Sequence, residues 1–110
     1  MAENNESTTT SGAVSSTFLT TPISDGASSF EVHWTAFTSE AECAAGETTI
    51  VVAKDVGVAP VIKATSPEIH HLGYAGTPTI SGSIVGNDLL LAANGVALKD
   101  ITWVLRIERS

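Results

Sequence analysis

Hydrophobic and polar residues alternate along much of this chain with a period of two. The clearest run is near the end, where Ile101, Trp103, Leu105 and Ile107 interleave with Thr102, Val104, Arg106 and Glu108. Residues 29–37, SFEVHWTAF, repeat the pattern: Phe30, Val32, Trp34 and Ala36 share one side, Glu31, His33 and Thr35 the other. Successive side chains of a strand point to opposite faces, so each run predicts a strand with one buried face. Trp34, Trp103, Leu105 and Ile107 are therefore expected to seal a core, since large apolar groups in alternating rows are inward-facing.

Further strands are predicted over 13–23 (AVSSTFLTTPI), 48–56 (TTIVVAKDV) and 60–65 (PVIKAT). Pro60 carries no amide hydrogen, which suits an edge position for the last of these. TISGSIV and DLLLAA are separated by Gly86-Asn87, the strongest hairpin signal in the chain. Asp25-Gly26 and Asn94-Gly95 mark further turns. Residues 38–47, TSEAECAAGE, fit either a short helix or a loop. Residues 66–78, SPEIHHLGYAGTP, contain two prolines and two glycines and read as a long surface loop.

Seven or eight short strands with turns every 8 to 12 residues predict an all-β domain over 13–110. The expected architecture is an antiparallel β-sandwich or jelly-roll-like domain. Asn, Glu, Ser and Thr dominate residues 1–12, which predicts an extended polar N-terminal arm.

Composition narrows the function classes. The chain has 110 residues, enough for one domain. Charged residues are only 15%, below the usual ~25%, and Thr, Ser, Ala and Gly take their place. Net charge is −7, from 12 acids and 5 scattered bases. Without a basic stripe, neither nucleic acid nor an anionic membrane is an expected partner. Cys43 is the only cysteine, so no internal disulfide and no cysteine-based zinc cage is available. The N-terminus lacks the basic and apolar regions of a signal peptide, and no apolar run reaches membrane-spanning length.

Little in the chain suggests reactive chemistry. His70-His71 sits without an HExxH pattern or a carboxylate at ligand spacing, and reads as two polar loop residues. His33 falls on the solvent face of its strand. Cys43 reads as a small buried thiol. Glu40, Glu42 and Glu47 form an acidic patch but not an EF-hand, and read as a solvated loop. There is no GxSxG and no glycine-rich phosphate cradle. The expectation is no catalytic residue, no metal site, no cofactor and no enzyme.

The segment LLLAANGVALKDITWVLRIERS resembles the C-terminal end of bacteriophage virion domains found in fibre, tail and head-decoration proteins. Those domains end in an apolar strand, a glycine-containing turn and a closing strand of the form I-x-W-x-aliphatic-x-aliphatic. Here the matching positions are Leu89 to Leu91, Asn94-Gly95, and Ile101, Trp103, Leu105 and Ile107. Residues 18–37 match more loosely, and 40–78 match nothing in that class.

The resemblance implies a non-enzymatic virion structural domain, often a homotrimer. The short polar stretch before the domain favours a capsid decoration (cement) protein, made in the host cytoplasm and placed on the capsid exterior. Its expected partners are copies of itself and the major capsid protein. Asn4, Asn5, Glu6, Ser7, Thr8 and Thr9 are then the expected capsid or subunit contacts. The alternative is a tail or fibre module that binds a host-surface glycan, for which Tyr74 is the candidate platform. A host-encoded adhesin is disfavoured by the N-terminus.

Overall fold

The computed structural model describes residues 2–38, 41–73 and 76–110. Eight strands follow in order: β1 (Ala2–Ser11), β2 (Ser15–Pro22), β3 (Gly26–Thr38), β4 (Cys43–Lys54), β5 (Val61–Leu72), β6 (Thr79–Val85), β7 (Asp88–Asn94) and β8 (Asp100–Arg109). No helix occurs among the described residues. Five strands form one sheet in the order β1-β8-β3-β4-β5, and three form the other in the order β2-β7-β6. Every pairing is antiparallel. The fold is the all-β sandwich that the alternation predicts. Some strands are longer than expected, up to 13 residues in β3. At ~3.3 Å per residue a strand of that length spans ~43 Å, which accounts for most of the 48 Å long axis.

The core lies between the sheets. Phe30, Val32, Trp34 and Ala36 of β3 and Ile101, Trp103, Leu105 and Ile107 of β8 are buried. From the opposite sheet Leu89, Leu91 and Ala93 of β7 meet them. The two indoles lie 5.4 Å apart between centroids and 55° from coplanar, a tilted aromatic pair. Each large ring has a small residue opposite it on one flanking strand. Trp34 pairs with Gly46 and Trp103 with Ala36. A Cβ on Gly46 would sit 2.6 Å from Cζ2 of Trp34 and 2.5 Å from the Glu68 carbonyl oxygen.

β8 lies between β1 and β3, so the chain's last strand has both edges paired. The sequence predicts an extended polar arm over residues 1–12. It is extended, but Ala2 to Ser11 pairs in continuous register with Arg109 to Asp100. Its polar residues serve the core directly. Thr10 is buried, and its Oγ1 accepts a 3.0 Å hydrogen bond from the Trp103 indole N–H. Thr8 Oγ1 and Ser16 Oγ lie 2.6 Å apart, joining β1 to β2. A buried indole N–H needs an acceptor, and an aliphatic strand here would have none to offer.

Two further expectations are corrected. Residues 66–72 are not a loop but the second half of β5. Residues 43–47 are neither helix nor loop but the start of β4. Ser39 and Glu40, between Thr38 and that start, lie outside the described residues. The Gly86-Asn87 hairpin forms as predicted between β6 and β7. Gly86 has φ +62° and Asn87 does not have positive φ, the pattern of a type II′ turn.

Candidate functional site

Two regions of the surface stand out: the β5 edge and the outer face of the five-stranded sheet. The larger sheet overreaches the smaller one. β6, of 7 residues, faces β5, of 12. Ile62 is still packed against the core at the covered end. Beyond it, Thr65, Pro67, Ile69 and Leu72 stand opposite Ile50, Thr48, Gly46 and Ala44, whose side of the sheet is buried. They therefore lie on the inner face, yet no second layer covers them: Ile69 is 40% exposed and Leu72 44%. Val56 and Val58, in the turn leading into β5, are also exposed. Among the described residues, no strand pairs with the outer edge of β5. Long open edges are usually protected; here Pro67 and two register shifts against β4 are the interruptions.

The outer face carries the ionisable groups. His33 of β3 lies between carboxylates: Nε2 is 3.7 Å from Glu31 Oε2, and Nδ1 is 3.6 Å from Glu47 Oε2 on β4. Glu108 of β8 is directly opposite Glu31 and is paired with Arg106 at 2.9 Å. His70, the extra residue at the β4–β5 register shift, lies 3.9 Å from both Glu47 and Glu68. A shallow depression of about 490 Å³ opens beside this group, with Asn5, His33, His70 and Arg106 in its lining.

The sequence-predicted residues fall in different places. Asn4 to Thr9 are all on β1, an edge of the five-stranded sheet. Asn4, Asn5, Ser7 and Thr9 are exposed, while Glu6 and Thr8 are half-buried toward the smaller sheet. Trp34, Trp103, Leu105 and Ile107 are buried together. His70 and His71 are strand residues rather than loop residues. Cys43, expected to be buried, is exposed at the start of β4, because it takes the outer face and its neighbour Ala44 takes the buried one.

The acidic patch does not form as one loop. Glu42 accepts a 2.7 Å hydrogen bond from Lys99, which lowers its pKa below the ordinary 4.5. Glu47 faces His33 instead. Glu40 and Tyr74 lie outside the described residues. The Glu31–His33–Glu108 grouping was not anticipated. The signal was present in the E-x-H spacing, which puts both side chains on one face of a strand. Glu108 joins them only through the β3–β8 pairing, which local sequence does not reveal.

No family model matches the chain, and no curated relative matches it. A solved structure aligns over 96% of it: tailspike protein gp49 from Acinetobacter baumannii bacteriophage Fri1, a capsular polysaccharide depolymerase. The identity is 15% and the TM-score 0.43, and the chain spans 17% of the length of that protein. A likeness this loose transfers neither activity nor substrate.

Proposed function

We propose that the chain is a non-enzymatic virion structural protein, a capsid decoration protein that binds and stabilises a phage head as a small oligomer. A homotrimer is the expected unit, and the major capsid protein its partner. The observation that carries the reading is the β5 edge. A 12-residue strand with an open hydrogen-bonding side and uncovered inner-face Ile69 and Leu72 is built to be covered. Fully burying one such side chain contributes ~1.5–3 kcal/mol. Several copies bridging adjacent capsomers multiply contacts of that size. The resemblance of the Ile101–Ile107 strand to the closing strand of virion domains supports the same reading. The net charge of −7 would keep a crowded shell of copies soluble.

The test is to mix purified protein with phage heads that lack it and count bound copies by cryo-electron microscopy. Binding at discrete symmetry-related positions is expected. Ile69→Lys with Leu72→Lys changes only exposed positions, so it leaves the melting temperature nearly unchanged and removes binding. Undiminished binding of that variant, or no binding of the wild type, would overturn the proposal.

A tail or fibre role is the second reading, favoured by the depression lined with Asn5, His33, His70 and Arg106. Amide, imidazole and guanidinium groups suit sugar hydroxyls. A glycan array, with Asn5→Ala and Arg106→Ala as controls, separates the two readings.

A further inference from the structure

We infer that Glu31, His33 and Glu108 form a binding site for one divalent transition-metal ion, zinc by ligand chemistry, which clamps β8 to β3 on the outer face. The inference is independent of the virion reading. Four observations carry it.

One ligand atom from each of the three side chains lies within 4.8 Å of the others, and all three residues are half-buried. Atoms bound to a single zinc ion at ~2.0–2.2 Å sit about 3–3.6 Å apart. The observed 3.7 Å between His33 Nε2 and Glu31 Oε2 is close to that spacing.

Next, His33 Nε2 is buried and has no hydrogen-bond partner among the described residues. A buried imidazole nitrogen without a partner is costly, and a metal ion would satisfy it. The other ring nitrogen, Nδ1, faces Glu47 Oε2 at 3.6 Å. A carboxylate behind the distal nitrogen is the usual orienting partner of a ligating histidine.

Charge supplies the fourth observation. Glu31 and Glu108 face each other across the β3–β8 ladder, and like charges directly opposite destabilise a sheet. Arg106 pairs with one oxygen of Glu108, which leaves the second oxygen of that carboxylate as a ligand. The three carboxylates Glu31, Glu47 and Glu108 outnumber the Arg106 guanidinium among them, which favours a divalent cation there. Imidazole with carboxylates favours zinc and its transition-metal neighbours over calcium or magnesium, which prefer all-oxygen shells. Three protein ligands leave a fourth position for water.

Chelator-treated protein is titrated with zinc chloride by calorimetry, with cobalt(II) chloride as a visible-absorption reporter of coordination. One ion per chain is expected, with a melting temperature that rises with zinc concentration. His33→Gln abolishes both effects. Glu31→Gln and Glu108→Gln weaken binding at least ~10-fold, and Glu47→Gln weakens it ~10–100-fold. His70→Gln leaves binding unchanged. Proton–nitrogen correlation spectra of the wild type add a readout that needs no variant: zinc shifts the His33 ring nitrogens and not those of His70 or His71. Failure of the wild type to take up zinc overturns the inference. So does full binding by His33→Gln, or a zinc response confined to His70 and His71.

Discussion

Replacing Thr10 with valine keeps a β-branched side chain of nearly the same shape and removes the oxygen that accepts the Trp103 indole N–H. Trp103 is fully buried, and the hydrogen bond is 3.0 Å long. Losing the acceptor leaves a buried donor unsatisfied, at ~1–3 kcal/mol. The extra methyl returns at most ~0.8 kcal/mol. Thr10→Val is therefore expected to lower stability by about 1–2 kcal/mol, or roughly 4–8 °C in a domain of this size. Urea unfolding followed by tryptophan fluorescence reads this directly, because both indoles are buried. Thr10→Ser retains the oxygen and separates its loss from that of the methyl. In a Trp103→Phe background the donor is gone, and Thr10→Val is expected to cost nothing. The coupling energy of the cycle then equals the whole wild-type cost, about 1–2 kcal/mol. A wild-type midpoint for Thr10→Val with zero coupling would refute the assignment of residues 2–11 to the sheet.

Gly46→Ala is expected to cost about 1–3 kcal/mol, because the new methyl meets Trp34 and the β5 backbone; an unchanged melting temperature would contradict that packing. Removing residues 101–110 takes away Trp103, unpairs β1 and leaves β3 with β4 alone, so insoluble or unfolded protein is expected, and a soluble, cooperatively melting product would contradict it. Glu42 is held below its ordinary pKa by the Lys99 hydrogen bond, so its contribution is present above pH 4.5 and lost as pH falls through the lowered value. The stability gap between wild type and Glu42→Gln is expected to close on acidification, and a gap that widens in acid would reverse the assignment.

Some of this structure was legible in the sequence and some was not, for physical reasons. β3 and β8 each bury one face, so their alternation is plain, and β7 shows as the apolar run Leu89 to Ala93. The Gly86-Asn87 turn is local chemistry and reads equally well. β1 carries no apolar period because its inward side is closed by hydroxyls: Thr8 meets Ser16, and Thr10 meets Trp103. A polar strand of that kind looks like a disordered arm until its partner is known. The second half of β5 is exposed on both faces and contains Pro67, so it shows neither alternation nor a hydrophobic run. The outer-face cluster depends on the β3–β8 register, which brings Glu31 and Glu108 together from positions 77 residues apart. Only the Glu31–His33 half was available locally.

We propose β5 as the strand through which this domain joins its neighbours. Amide hydrogen exchange of the protein, free and bound to phage heads, tests it most directly. Strong new protection is expected across residues 63–72 on binding, with the buried core strands unchanged. New protection confined to β1 or to the outer face, with 63–72 exchanging as fast as before, would contradict it.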